Sequence, residues 1–180
     1  MSQAPGLRVE RHESVGSTNS LAFERAREGD PGGLWIVAGE QTAGRGRRGR
    51  DWASAAGNLF ASHLLVNPGA RDRIGELPLV AAVALAEAID KCAGTHQMVG
   101  LKWPNDLLVD GAKLSGILLE AETTSSGKLA IVLGFGVNCV MHPELSLYPS
   151  VDLAALGYRV SAEQLLAALA DSLDRWLTGW

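Results

Sequence analysis

The chain has 180 residues, 47% of them hydrophobic, which suits one globular domain burying roughly two thirds of its unfolded surface. Its 16 Lys plus Arg against 20 Asp plus Glu leave a net charge of −4, which argues against a duplex-binding face and against nucleic acid as a partner. No apolar run of membrane-spanning length occurs, the first residues carry no leader pattern, and Cys92 and Cys139 are too few for a disulfide framework, so a cytoplasmic protein with no membrane partner is expected.

Residues 7–13 alternate apolar and polar positions, with Leu7 and Val9 on one side, and predict a first strand. Gly16-Ser17-Thr18-Asn19-Ser20 breaks it, and Ser17, Thr18 or Asn19 can cap a helix running to about residue 28. After a Gly- and Pro-rich stop, residues 34–41 form an apolar run of strand length. That run delivers the chain into residues 41–58, where Arg45, Arg47, Arg48 and Arg50 alternate with Gly44, Gly46 and Gly49 and are followed by Trp52.

Glycine keeps the backbone of such a loop free to bend around an anion, while guanidinium forks donate in pairs to carboxylate or phosphate. Trp52 adds a face on which a base can stack. A solvated basic surface or a nucleic-acid patch is the plainer reading. The spacing of Gly44, Gly46 and Gly49 also fits G-x-G-x-x-G, but no acidic residue falls in residues 60–70 and no long helix follows, and no Gly-Lys-Ser/Thr closes a P-loop. An anion-binding loop of another kind is the sharper reading. Its crowded arginines predict that residues 42–57 are mobile when empty and ordered by ligand.

Residues 59–66 predict a strand, Asn67-Pro68-Gly69 a turn, and residues 75–91 a deeply buried helix. Residues 98–103 predict the next strand, stopped by Pro104. Residues 107–109 and 113–122 predict a hairpin around Asp110-Gly111, and after a polar turn residues 128–139 close the sheet. Residues 142–161 read as a connection, and Ser161 with Gln164 as a capping box for a last helix with Leu165, Leu166, Leu169 and Leu173 along one stripe. The succession of hairpins predicts an α+β fold with an antiparallel or mixed sheet rather than alternating βαβ units. His12, His63, His96 and His142 show no ligand spacing, so no structural metal is assigned.

Polar and glycine residues punctuate these strands in three places. Lys102-Trp103-Pro104-Asn105-Asp106 sets amide and carboxylate groups at a strand tip, where turn chemistry alone is the plainer account. Lys113-Leu114-Ser115-Gly116 and Gly134-Phe135-Gly136-Val137-Asn138 place glycines inside strand patterns, as a bulge or a close approach by a ligand requires.

Taken in order, Gly-Ser-Thr-Asn, Gln-x-x-Gly-Arg-Gly-Arg-Arg-Gly-Arg-x-Trp, Lys-Trp-Pro-Asn-Asp-Leu, Gly-x-Lys-Leu-x-Gly-Ile-Leu-x-Glu and Gly-x-Gly-x-Asn closely resemble the biotin–protein ligases, from Gly16 to Asn138 and more loosely to the last helix. The resemblance implies a class II aminoacyl-tRNA synthetase-like catalytic domain, a mixed, largely antiparallel sheet with helices on one side. It implies formation of biotinyl-5′-adenylate from biotin and ATP with Mg²⁺, then transfer to a lysine of a biotin carboxyl carrier domain.

By matching position, Ser17, Thr18 and Gln41 would hold the ureido ring, and Gly44, Arg45, Gly116 and Gly134 the tail. Arg45 and Arg47 would neutralise carboxylate and α-phosphate, with Lys113 as the catalytic lysine between them. Arg50 and Trp52 would border ATP, Asn105 and Asp106 the nucleotide and its Mg²⁺, and Asn138 the adenine side. The whole of residues 1–180 reads as this one catalytic domain, without the N-terminal helix-turn-helix that some relatives carry and with the usual small C-terminal β-barrel absent or truncated; monomer and homodimer both stay open. The rival readings are a lipoate–protein ligase, whose Gly-Gly-Gly-x-Val pattern is missing here, and a non-catalytic biotin-binding module.

Overall fold

The computed structural model describes residues 7–69, 71–144 and 148–180. Residues 1–6, read above for a leader, and residues 145–147 of the expected connection lie outside that description. The chain runs β1 (Arg8–Val15), α1 (Thr18–Arg27), β2 (Leu34–Gln41), β3 (Leu59–Val66), α2 (Leu77–Ala93), β4 (Gly100–Lys102), β5 (Asp106–Val109), β6 (Ala112–Thr123), β7 (Leu129–Val137) and α3 (Ala162–Gly179). Short 3-10 turns occupy Arg47–Gly49 and Arg71–Glu76.

The seven strands form one sheet in the order β1-β2-β3-β7-β6-β5-β4. All neighbours are antiparallel except β1 and β2, which pair in parallel from Arg8 opposite Leu34 to Val15 opposite Gln41. The sheet is thus mixed, as the succession of hairpins implies, and its single βαβ unit lies at the start of the chain, where α1 is the crossover that parallel neighbours need. From β5 onward the hairpins follow the sequence pattern. Asp110 and Gly111 form the two-residue turn with φ of 49° and 81°, the positive pair that a hairpin twist favours.

Side-chain alternation divides the core between two faces. Ala22, Phe23 and Ala26 of α1 bury against Leu34, Ile36, Leu64, Ala130 and Val132. Trp35, Ala61, Leu133 and Phe135 point the other way, into a larger core shared with α2 and α3. Helices thus cover both faces, which corrects the expectation of one side. The alanines of α2 (Ala81, Ala84 and Ala88) are buried and leave room for Leu165, Leu169 and Leu173 of α3. Each fully buried Leu contributes about 1.5–3 kcal/mol. Ser161 and Gln164 cap α3 reciprocally, as the sequence predicts. Among the described residues no helix is long and apolar enough to cross a membrane.

Candidate active site

The α1 face of the sheet carries a strip of missing side chains. Gly116 of β6 lies opposite Gly136 of β7, and Gly134 lies opposite Leu118. A Cβ at Gly136 would lie 2.4 Å from the Trp52 ring, one at Gly116 2.8 Å from it, and one at Gly134 2.3 Å from Asn19 Oδ1. Only bare backbone lets the indole and the amide lie this close. They bound a cavity of about 340 Å³, within the size range of small-molecule sites.

A chain of hydrogen bonds closes its inner end. The β2–loop junction and the first turn of α1 meet where the Thr18 N–H and hydroxyl both donate to Gln41 Oε1, at 2.9 and 3.1 Å. Ser62 Oγ of β3 lies 2.7 Å from Thr18 Oγ1 and 2.6 Å from Asn19 Oδ1. Asn19 Nδ2 donates to Glu120 Oε2 at 2.8 Å. Ser17 holds the N-cap position, but its hydroxyl makes no capping bond and instead lines the cavity. Ser17, Thr18 and Gln41 therefore meet on the wall of the cavity.

Cations gather at the outer end. Lys113 is 8% exposed, and its ammonium pairs with Asp106 Oδ1 at 2.8 Å. It also lies over the rings of Trp52 and Tyr148, at 5.2 and 5.5 Å. A buried ammonium has to be paired in this way, because losing water without a partner is costly. Its backbone is pinned as well, by its N–H to Pro149 O and by Val151 N–H to its carbonyl.

Arg47 donates to Asn105 Oδ1 at 3.2 Å, Arg45 to Ser20 Oγ at 2.8 Å and to Glu120 Oε2 at 3.0 Å, and Arg50 to the carbonyl of Arg47 at 3.3 Å. Arg45, Arg47, Arg50, Trp52, Asn105, Asp106, Gly116, Gly134 and Asn138 all line the cavity.

Two of the expected site residues sit differently. Gly44 is not on the cavity wall, and its lack of a side chain serves close packing: a Cβ there would meet Trp52 O at 2.8 Å. Asn138 commits its amide N–H groups to the carbonyls of Lys113 and Val151, at 3.4 and 3.0 Å, so only its oxygen is left for a ligand. Burial pushes the neighbouring Cys139 thiol up to about 11, which keeps it protonated beside the site. Motif reading gave no role to Asn19, Ser62, Glu120 or Tyr148. Asn19 and Glu120 stand inside the quoted motifs. Ser62 is one of two adjacent polar residues in an otherwise apolar strand, and nothing near Tyr148 marks it.

Fold and cleft define a class: a mixed-sheet domain with a glycine-floored cavity whose mouth gathers Lys and Arg. The profile of the biotin/lipoate A/B protein ligase family matches residues 12–138, and the chain belongs to that family. It is 40% identical over 167 residues to the biotin–acetyl-CoA-carboxylase ligase of Paracoccus denitrificans, covering 89% of this chain and 69% of that one. The ligase of the same name from Mycobacterium tuberculosis is 34% identical, over 90% of this chain and 62% of its own length. The bifunctional ligase/repressor BirA of Bacillus subtilis is 37% identical, over 73% of this chain and 40% of its own.

Among solved structures, the biotin protein ligase from Aquifex aeolicus in complex with biotin and ATP superposes with a TM-score of 0.78 at 31% identity, over 95% of this chain and 70% of that one. The Leishmania major enzyme with biotinyl-5-AMP gives 0.82 at 25% identity, over 98% and 77%.

Proposed function

We propose that this cleft joins biotin to the AMP part of ATP and then passes the biotinyl group to a lysine of a biotin carboxyl carrier domain. The observation that carries the reading is the convergence of buried Lys113 with Arg45 and Arg47 at the mouth of a glycine-floored cavity, in a chain whose relatives are named for this reaction. A biotin carboxylate oxygen attacks the α-phosphorus, the α–β phosphoanhydride breaks, and pyrophosphate leaves with the bonding electrons. The acceptor amine then attacks the acyl carbon of the mixed anhydride, loses a proton, and AMP leaves.

The first step brings two anions together, so its main demand is fixed positive charge rather than proton transfer. Lys113, Arg45 and Arg47 supply that charge around carboxylate and α-phosphate. Ser17, Thr18 and Gln41 would hold the ring, with Gly116 and Gly134 under the tail. Gly44 contributes by letting the loop close on Trp52 and Gln41. Arg50 and Trp52 border the nucleotide side, Asn105 presents its amide there, and Asn138 offers one oxygen to the adenine.

Mg²⁺ enters as part of the ATP substrate. Asp106 and Asp51 are the carboxylates of the wall, and hard oxygen donors of this kind suit Mg²⁺. Asp106 would share the ion, which offsets phosphate charge. The test is biotin-dependent exchange of labelled pyrophosphate into ATP. Exchange with biotin is expected, whereas exchange with lipoate alone, or none, would overturn the reading.

A further inference from the structure

Glu120 is the carboxylate at which the two ends of the site meet. It projects from β6 on the cavity face, two residues from Leu118, whose backbone partner is Gly134. Its Oε2 accepts from Asn19 Nδ2 at 2.8 Å and from Arg45 Nη2 at 3.0 Å. The first contact forces the Asn19 amide to turn its oxygen toward Ser62, which stands 2.6 Å away and also touches Thr18. The second anchors the first arginine of the loop across the cavity. A continuous path therefore runs Gln41–Thr18–Ser62–Asn19–Glu120–Arg45, from the inner end to the loop.

We propose that Glu120 is a positioning residue that holds Arg45 in the empty site and yields it to the ligand's carboxylate, while keeping Asn19 oriented toward the inner end. The proposal rests on the reading of the cleft as a biotin site. Three features favour an exchangeable partner over a fixed ion pair. The side chains of Arg45 and Glu120 are 38% and 32% exposed, so water screens the pair and it stabilises the fold by little. A second donor to the same oxygen, Asn19, keeps the carboxylate satisfied when Arg45 leaves. Arg45 keeps Ser20 Oγ, 2.8 Å away, as a neutral contact beside which a new anion can be bound.

An internal carboxylate that occupies Arg45 competes with an incoming one. Replacing it with a neutral amide of the same shape keeps a partner for Asn19 and removes the competition. The experiment compares biotin with its uncharged methyl ester by calorimetry at low salt, in wild type and Glu120→Gln. Biotin affinity should rise roughly two- to five-fold in the variant, the size expected of a half-exposed ion pair, while ester affinity stays the same. In an Arg45→Ala background the Glu120→Gln change should leave biotin affinity unaltered. Should Glu120→Gln fold poorly, Glu120→Asp, whose shorter arm withdraws the carboxylate from Arg45, should show the same selective gain for biotin. Equal effects on biotin and ester, or an effect that survives loss of Arg45, would overturn the proposal. Wild-type protein that binds neither compound would overturn the functional reading, and this proposal with it.

Discussion

Lys113 combines burial with a full charge, and that combination is sustained by Asp106 at 2.8 Å. With its backbone pinned to Pro149 and Val151, the ammonium is held ready before any ligand arrives, which is what transition-state stabilisation by a fixed charge requires. Lys113→Ala should lower the rate of adenylate formation by about 10²–10³, measured by pyrophosphate exchange, with the thermal midpoint showing that the fold survives. Turnover like that of the wild type would remove Lys113 from the reacting group. A second buried base lies on the opposite face. His63 packs on Trp35 with ring centroids 4.6 Å apart, and its Nδ1 has no hydrogen-bond partner among the described residues. Burial holds its pKa down to about 4, against 6.5 for a free imidazole. The unfolded chain therefore binds this proton first as pH falls. The stability contributed by neutral His63 is complete above about pH 6.5 and is lost on the way down through about pH 4, by up to about 3 kcal/mol. Hydrogen bonding from Arg25 holds Glu10 down to about 2, so its own contribution is lost at still lower pH, below 4.5. The urea midpoint of the wild type should fall between about pH 7 and about pH 5, and that of His63→Phe should fall less. Equal falls in both would place the acid sensitivity elsewhere.

At the scale of elements, the glycine strip of β6 and β7 shapes the site by what it omits. In Gly136→Ala the new methyl would meet the Trp52 ring at 2.4 Å, and the ring could not keep its place. Overpacking of this kind costs about 1–3 kcal/mol, here felt by the loop that carries Trp52. Biotin should bind about ten-fold more weakly or worse, with Gly100→Ala, whose nearest contact is 3.9 Å away, as the unaffected control. Unchanged affinity in Gly136→Ala would mean that the indole position is irrelevant to binding. Strands β2 and β3 were legible residue for residue, because apolar runs bounded by Gly and Asn leave little choice of end. The hairpin turn at Asp110-Gly111 and the cap at Ser161 were legible because single residues decide them. Pairing was not: nothing local tells β1 to lie parallel to β2. Nor was the shortness of β4, since the segment before it is tied to α2 through Asp90, whose carboxylate accepts from the N–H groups of Gln97 and Met98. The candidate site was legible where its residues stand in motifs. Ser62 and Tyr148 reach it only through the sheet and the connection that folds over Lys113, so no spacing announced them.

Over the whole molecule, residues 42–52 span the cleft from the β2 side to the β5–β6 side. The span is self-bonded at its base, through Gly46 N–H to Arg50 O at 2.7 Å and Trp52 N–H to Gly44 O at 2.9 Å. Its tip turns through Arg48 and Gly49, both at positive φ, which strains a non-glycine residue by about 1–3 kcal/mol. The contacts that hold it across the cleft are Arg45 to Glu120, Arg47 to Asn105, and Trp52 on its glycines. The two polar ones are exposed, and pairs of that kind are worth about 0–1 kcal/mol each. Ordering the segment costs backbone entropy that these contacts offset only in part. The closed arrangement is therefore weakly held in the empty protein. A bound carboxylate and phosphate add several charge-assisted bonds to the same arginines, and the closed arrangement should then dominate and keep water from the adenylate. Trypsin should cut between Arg45 and Arg50 readily in the empty protein and at least about ten-fold more slowly with biotin and MgATP present, since protection follows the population of the open form. Mass spectrometry of the first fragments locates the cut. Equal rates in the two states, with binding established independently, would show that ligand does not close this segment.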